Sequence, residues 1–195
     1  MSCNCKFGCK EELPEGLKVI TPTVYADERG ALMETWTFKD FKNIGIDEIF
    51  VQDNHSISNR GVLRGLHFQR LAPQGKLVRV VSGRVYDVAV DMRPESSCYG
   101  KWFGIMLSAE NKTQIYIPPR FAHGFLAIDN NTEVLYKCTE YFEPEHGAGV
   151  LWESPEIGID WQLDKWGLNQ SEIILSEKDR KLPLFGSLNR HEIWL

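Results

Sequence analysis

One segment of the chain concentrates polar side chains among residues that favour β-strands. It has the sequence VQDNHSISNRGVLRGLHFQ and carries Gln52, Asn54, His55, Arg64, His67 and Gln69. Histidine titrates near neutral pH, so a neutral imidazole can take a proton from a bound molecule and later release it. His67 is therefore a candidate general base. The alternative is a structural or surface histidine, which is the commoner role.

A second histidine, His123, follows a rigid Pro-Pro turn in the segment IPPRFAHGF. Two histidines raise the question of a metal site, and zinc or iron sites use three or four protein ligands. Gln69 stands where the second histidine of a His-x-His pair would lie, and the glutamate that usually accompanies such a pair does not lie beside His67. The sequence therefore predicts no metal.

Positive charge lies close to these histidines in sequence, on Arg29, Arg64, Lys76 and Arg79. Guanidinium groups make bidentate contacts with phosphate, whereas surface solvation explains any one of them equally well. The chain has neither a G-x-x-x-x-G-K-[ST] loop nor a G-x-G-x-x-G turn. A bound phosphate would therefore be held by side chains, at the open mouth of a barrel.

Short β-type segments separated by turn residues make up most of the chain after Pro14, among them KLVRVV, RVYDVAVDM, TQIYIPP, HGFLAI and EVLYKCTEYF. This spacing is typical of a sandwich or barrel. Alternation along the last segment places Tyr136 and Phe142 on one face, so they can line one cavity. Helical signals are few: TFKDFKNIG predicts a short helix ended by Gly45, and Ser176 is a candidate N-cap.

Composition places the chain among ordinary globular proteins. Of its 195 residues 43% are hydrophobic and 25% are charged, and the net charge is -5. A negative chain lacks the basic surface that a sequence-independent grip on nucleic acid needs. No apolar run approaches a membrane span, and the first residues do not resemble a signal peptide. We expect a cytoplasmic protein that binds neither nucleic acid nor membrane.

Five cysteines, an odd number, fit a reducing compartment better than a disulfide framework. Cys3, Cys5 and Cys9 crowd the first ten residues, yet a structural zinc site needs four ligands and no further ligand lies nearby. We therefore expect residues 1–16 to be a poorly ordered lead and residues 17–195 to form one domain.

Six segments in order resemble the dTDP-4-dehydrorhamnose 3,5-epimerase family of the cupin superfamily, from about Leu17 to about Leu184: DERGALMETW, FVQDNHSISNRGVLRGLHFQ, QGKLVRVVSGRVYDVAVDMR, LSAENKTQIYIPPRFAHGF, LYKCTEYF and LSEKDRKLP. The resemblance implies an all-β jelly-roll barrel or sandwich, with a few short and mainly C-terminal helices. It also implies no cofactor. The first fifteen residues or so have no counterpart in the family.

The resemblance implies a role for each matching residue. His67 would be the base, Asp179 would orient it and Tyr136 would donate the proton. Asp179 has a competing explanation, as the acid of a capping box that starts at Ser176. Phe142, where the family often has tyrosine, would stack on the nucleobase. The other substrate contacts would be Arg29, Glu34, Gln52, Asn54, Arg64, Lys76, His123 and Lys178.

The implied activity is inversion of C3 and C5 in dTDP-4-keto-6-deoxy-D-glucose, giving dTDP-4-keto-L-rhamnose for dTDP-rhamnose biosynthesis. A 3-epimerase or 3,4-ketoisomerase acting on another nucleotide-linked 4-keto-deoxysugar is the first alternative. A non-catalytic sugar-binding cupin and a metal-dependent cupin oxygenase are the others. The resemblance also implies a homodimer, in which Arg29 and Glu34 reach into the partner's site.

Overall fold

The computed structural model describes residues 6–195, most of which lie in short strands joined by turns. The strands are β1 (Phe7–Glu12), β2 (Leu17–Pro22), β3 (Val24–Asp27), β4 (Gly30–Met33), β5 (Gln52–Ser58), β6 (Leu63–Gln69), β7 (Lys76–Ser82), β8 (Arg84–Asp91), β9 (Trp102–Ser108), β10 (Gln114–Ile117), β11 (Phe121–Ala127), β12 (Thr132–Cys138) and β13 (Gly147–Gly149). The α-helices are α1 (Phe38–Asn43) and α2 (Glu177–Arg180), and 3-10 turns cover Pro144–His146, Leu163–Trp166, Gln170–Glu172 and Phe185–Ser187.

Two antiparallel sheets form a jelly-roll sandwich, as the sequence predicts. One has six strands in the order β1-β2-β10-β7-β12-β5, and the other has five in the order β13-β6-β11-β8-β9. A separate hairpin consists of β3 and β4. Neighbours within a sheet are mostly distant in sequence, so each strand is placed by long-range pairing rather than by its own turn.

The side chains of β8 show how the layers are built. Val85 and Ala89 belong to the apolar core shared with the six-stranded sheet, whereas Val88 and Val90 belong to a second core on the other side. This second core is closed by the chain after β13, with Trp152 and Trp161 among its buried members. Because both faces are covered, β8 is buried at every position after its first.

Helix α1 covers part of the outer face of the six-stranded sheet. Phe41 of the helix and Ile46 after it are buried against Ile20 and Leu77. The helix ends before Gly45, which adopts a φ of +80°, and this matches the expected helix and its stop. The helices are therefore not specifically C-terminal, because burial of Phe41 stabilises one in the first quarter of the chain. None of the helices in residues 6–195 is long and apolar enough to cross a membrane.

The first described residues differ from the poorly ordered lead that we expected. Phe7–Glu12 pairs along its whole length with β2, whose free edge offers backbone donors and acceptors. Phe7 is buried, and its ring meets Phe41 edge-to-face at 5.0 Å between centroids. Cys9 lies on this strand, whereas Cys3 and Cys5 lie outside the described residues.

The second core predicts a large stability difference between two leucines. Leu126 on β11 is fully buried there, whereas Leu184 is 43% exposed. Leu126→Ala leaves a cavity and lowers the free energy of unfolding by about 2–5 kcal/mol, and Leu184→Ala lowers it by about 1 kcal/mol or less. Urea denaturation of both variants measures this, and equal losses would contradict the assigned packing.

Candidate active site

A cavity of about 540 Å³ opens between the two sheets and collects most of the residues singled out from the sequence. Its walls come from β5, β6, β7, β11 and β12, with the segment 174–179 closing one side. The expected site residues that line it are Gln52, Asn54, Arg64, His67, Lys76, His123, Tyr136, Phe142, Lys178 and Asp179.

A bulge in β6 brings Arg64 and His67 to the same cavity. Residues three apart on a regular strand face opposite sides, because alternation has a period of two. Here His123 pairs with His67 while Phe125 pairs with Arg64, so β6 has one residue more than β11 in this interval. Gly65 in the bulge has a φ of +119°, and a Cβ there would lie 2.6 Å from the Gly124 Cα. Only glycine fits this position.

His67 is held by a carboxylate from the far end of the chain. Its Nε2 lies 2.6 Å from Asp179 Oδ1, and Asp179 is buried. The segment that carries Asp179 is fixed to the start of β6, because Leu63 N–H donates to the Ile174 carbonyl at 3.0 Å. The carboxylate therefore reaches His67 from a segment that is itself hydrogen-bonded to the strand of His67.

Of the two roles that compete in the sequence, the Asp179 carboxylate contacts His67 and does not close a capping box with Ser176. Its backbone N–H donates to Ser176 Oγ at 3.0 Å, and this cap leaves the carboxylate free for His67. Burial tends to raise the pKa of Asp179, but hydrogen bonds from His67, Ser176 and the Gly65 backbone outweigh it and leave the pKa below its ordinary value. An ionised carboxylate only accepts, so His67 Nε2 carries a hydrogen and Nδ1 is the basic nitrogen.

The facing wall of the cavity comes from the six-stranded sheet and presents Tyr136 and Lys76. These residues lie on neighbouring strands, where Cys138 pairs with Lys76 and Tyr136 with Val78. Burial is the main cause that raises the pKa of Tyr136, with a contribution from Cys138. Burial also lowers the pKa of Lys76, against opposing contributions from Cys138 and Asp87. Tyr136 therefore holds its proton near neutral pH, opposite the sheet that carries His67.

Two glutamines set the loop that presents Phe142, whose ring is half exposed at the cavity. Gln52 Oε1 accepts from the Phe142 N–H at 2.9 Å, and Gln69 Oε1 accepts from the Glu143 N–H at 2.8 Å. Gln69 also donates to the Tyr141 carbonyl at 3.0 Å. The strand β12 ends at Cys138, so these bonds rather than strand alternation place the ring. Gln69 was not among our expected site residues, although it lies two positions from His67 on the same strand face.

The sequence prediction also missed Asp87, which makes His123 part of a second histidine–carboxylate pair. His123 Nε2 lies 2.9 Å from Asp87 Oδ2, and both side chains are buried. Burial is the main cause that lowers the pKa of His123, and Lys76 and His67 add to it against the opposing effect of Asp87. His123 is thus neutral near physiological pH. The signal in the sequence is a lone carboxylate within the apolar run VYDVAV.

Ligand-type side chains also gather beside Phe142, at Glu143, Glu145 and His146. The two glutamates are exposed and the histidine is half-buried. This group includes neither His67 nor His123. Exposed acidic groups are common without an ion, and no role is assigned to it.

Comparison with known proteins places the chain in a family. The sequence model of the dTDP-4-dehydrorhamnose 3,5-epimerase family matches residues 12–187.

The chain belongs to this family.

A dTDP-4-dehydrorhamnose 3,5-epimerase of Methanothermobacter thermautotrophicus is 53% identical over 166 residues, covering 85% of this chain and 88% of that protein. The crystal structure of a dTDP-6-deoxy-D-glucose-3,5-epimerase from Legionella pneumophila in complex with dTDP-4-keto-L-rhamnose superposes with a TM-score of 0.88. That protein is 40% identical, and the match covers 96% of this chain and 97% of the other. A Streptomyces bikiniensis 3'-monoepimerase in complex with dTDP-quinovose also matches, with a TM-score of 0.85, 28% identity and coverage of 95% and 92%.

Two of the residues suggested by the 3,5-epimerase family do not line the cavity of their own chain. Arg29 sits in the turn of the β3–β4 hairpin and contacts Asp27 at 2.5 Å, with most of its side chain exposed. Glu34 follows the hairpin and pairs with Lys6 at 2.7 Å. His55 also points elsewhere: it alternates with Asn54 on β5 and pairs with Glu133 at 2.9 Å. The cavity of a single chain therefore contains all the suggested site residues except Arg29 and Glu34.

The hydrogen bond between His67 and Asp179 predicts a pH dependence of stability. The folded-state pKa of Asp179 lies below its ordinary value of 3.8, so its stabilisation is complete above that value and is lost as pH falls through the folded-state pKa. Asp179→Asn removes this group, and the difference in unfolding free energy between about pH 7 and about pH 3 becomes smaller. Denaturant titrations at both pH values measure it.

The matched control for that experiment is Asp164→Asn, which removes an exposed carboxylate from the turn Leu163–Trp166. In this variant the difference in unfolding free energy between the two pH values stays close to that of the unmodified chain. If both variants behaved alike, Asp179 would not be the carboxylate that the His67 contact stabilises.

Proposed function

We propose that this chain inverts C3 and C5 of dTDP-4-keto-6-deoxy-D-glucose to give dTDP-4-keto-L-rhamnose, a step of dTDP-rhamnose biosynthesis. The observation that carries the proposal is the placement of two groups in one cavity. His67 comes from the five-stranded sheet and is bound to Asp179 of α2, and Tyr136 comes from the sheet that faces His67. Membership of the 3,5-epimerase family supports the same activity.

The chemistry explains why these residue types are needed. C3 and C5 both lie next to the C4 ketone, so loss of either proton gives an enolate whose charge rests on the ketone oxygen. Inversion then requires a base on one side of the sugar ring and an acid on the other. Nδ1 of His67 takes the proton, while Asp179 fixes the tautomer and stabilises the imidazolium that forms.

Tyr136 supplies the proton on the opposite side. Its raised pKa keeps the phenol protonated until a carbanion-like centre draws the proton away. Lys76 stabilises the enolate oxygen: its side chain is buried at the cavity wall, and its ammonium has no hydrogen-bond partner among residues 6–195. A donor aimed at developing charge in this way contributes about 100-fold or more to the rate.

The rest of the cavity suits a nucleotide-linked sugar. Arg64 and Lys178 bring positive charge for a diphosphate, and Gln52 and Asn54 offer amide groups. The half-exposed ring of Phe142 presents a face for a nucleobase, with no hydroxyl to add a polar contact. No cofactor enters this mechanism, because the ketone of the substrate itself stabilises the charge.

A homodimer would complete the site. The β3–β4 hairpin belongs to neither large sheet, and its apolar residues Val24, Tyr25 and Leu32 are exposed to solvent. Exposed apolar residues on an isolated hairpin favour packing against another copy of the chain. In such a dimer the hairpin carries Arg29 and Glu34 into the partner's cavity, where each would bind the substrate.

We also propose a cytoplasmic location and a single catalytic domain over residues 17–195. The odd number of cysteines supports a reducing compartment. The two sheets share one core, and the segment after β13 covers the other face of the five-stranded sheet in the same sandwich, where it closes the second core.

The second candidate is inversion at C3 alone, on another nucleotide-linked 4-keto-deoxysugar. It is favoured by the structural match to the Streptomyces bikiniensis 3'-monoepimerase, which has the same fold at 28% identity. The two reactions share the first deprotonation, so the outcome depends on how the sugar sits between His67 and Tyr136.

Proton NMR in deuterated water tests the reaction. With dTDP-4-keto-6-deoxy-D-glucose we expect deuterium at both C3 and C5, and His67→Ala lowers the exchange rate by about 100-fold or more because the base is gone. Tyr136→Phe retains part of the exchange but loses inversion. Deuterium at C3 only would favour the second candidate, and unchanged exchange in His67→Ala would refute the assigned base. A panel of dTDP-, CDP-, UDP- and GDP-linked sugars tests the nucleotide.

Dilution tests the dimer. Specific activity should fall as the protein is diluted below the dimer dissociation constant, because Arg29 and Glu34 leave the site when the copies separate. Sedimentation at the same concentrations reports the oligomeric state, and Arg29→Ala should raise the substrate KM without dissociating the dimer. A monomer with full activity would refute the shared site.

A further inference from the structure

A second histidine–carboxylate pair, formed by His123 at the cavity wall and Asp87 behind it, is not used by the reaction above. His123 and His67 face each other as cross-strand partners on β11 and β6, and each has its Nε2 bound to a carboxylate. The carboxylate of the second pair, Asp87, comes from β8, the next strand of the same sheet. Burial of Asp87 on β8 costs electrostatic free energy, which an apolar residue at the same position would not.

That cost is large because Asp87 is completely buried. Its side chain has no solvent exposure, and its neighbours on the inner face of β8, Val85 and Ala89, belong to the apolar core. Oδ2 is bound to His123, whereas Oδ1 is buried without a hydrogen-bond partner among residues 6–195. A buried carboxylate with half of its acceptors unused is destabilising by itself.

Two residues that line the cavity, His123 and Lys76, interact with the buried carboxylate of Asp87. His123 is neutral, so it donates its Nε2 hydrogen to Asp87 and keeps a lone pair on Nδ1. Nδ1 has no partner within the described chain, and His123 lines the cavity. Lys76 lines the same cavity and lies within the field of Asp87, which opposes the loss of its charge by burial.

We propose that Asp87 is a positioning residue of this site, which holds His123 as an acceptor through Nδ1 and favours the ammonium form of Lys76 beside the same ligand. The inference rests on the proposed function, because Lys76 must be charged to stabilise an enolate oxygen. A hydroxyl of the sugar that donates to His123 would then be held next to the ketone bound by Lys76. Asp87 does not touch the substrate and acts only through these two side chains.

Asp87→Asn removes the charge with little change in shape. We expect kcat for C3 and C5 exchange to fall by about 10–100-fold, the usual effect of removing a group that orients a functional side chain. KM stays within about threefold, because the amide oxygen of asparagine still accepts from His123 Nε2 and the loss falls mainly on stabilisation of the enolate. Lys76 also loses the negative charge that favours its ammonium form, so the basic limb of the pH–rate profile moves to lower pH.

Other titratable groups also face Asp87, His123 and Lys76. They are the same residues in the variant and in the unmodified protein. They are His67 and Arg64 from β6, Tyr136 and Cys138 from β12, and Asp179 and Lys178 from the segment that closes the cavity. None is changed in Asp87→Asn, so a shift of the basic limb reports the lost carboxylate.

Asp91→Asn is the matched control. Asp91 lies on the same strand and is equally buried, but its carboxylate is bound by Arg93 and Ser96, neither of which lines the cavity. Asp91→Asn lowers the free energy of unfolding, but the folded variant keeps the kcat and the basic limb of the pH–rate profile of the unmodified protein. The proposal is overturned if Asp87→Asn keeps the unmodified kcat and pH profile, or if Asp91→Asn changes both as strongly.

A second measurement needs no variant of Asp87 and holds even if that variant fails to fold. Nitrogen-15 NMR of histidine-labelled protein should show His123 with its hydrogen on Nε2 and a bare Nδ1 from about pH 6 to pH 8. Assignment uses His123→Gln, which removes the signal. An imidazolium or an Nδ1–H tautomer would overturn the proposal. If the unmodified protein exchanged no deuterium, only the proposed function would fail, because this readout does not depend on activity.

Discussion

The contact between His67 and Asp179 joins two parts of the chain that are 112 residues apart, and much of the structure serves to keep them together. The histidine needs the bulge at Gly65 to face inward. The carboxylate needs a segment with almost no regular structure to be held against β6, which two backbone bonds between Gly61–Leu63 and Ile174 achieve. Neither group is useful alone: a free imidazole has no fixed tautomer, and a buried carboxylate without a donor is destabilising.

The cavity opens between the layers of a sandwich and buries Lys76 and Asp179, whose charges are removed from water and must be compensated. The sheets divide this task. The five-stranded sheet carries two histidines, each paired with a carboxylate, whereas the six-stranded sheet carries Lys76 and the protonated Tyr136. A substrate that is neutral at its reacting end and anionic at its diphosphate fits this distribution. The electrostatic pattern thus follows from the topology, because the topology places His67 and Tyr136 on layers that face each other.

Much of this could be predicted from residue types and order. Alternation and turn spacing indicated an all-β sandwich, and a resemblance over six segments indicated the family and most of the cavity wall. Strand pairing could not be foreseen for Phe7–Glu12, because the edge that it covers is formed by residues that follow it. Asp87 and Gln69 were missed for a related reason. A buried polar residue looks like any other until the partner that satisfies it is known, and here the partners are 36 and 74 residues away.

The C-terminal covering layer has a consequence for how such an enzyme loses activity. The chain after β13 consists of short 3-10 turns and one helical turn, and apolar contacts such as those of Trp152 and Trp161 attach it to the sandwich. Segments with few backbone ladders detach at lower free energies than central strands do. Loss of these apolar contacts would move Asp179 away from His67 even with every strand pair intact, because no strand of either sheet carries Asp179.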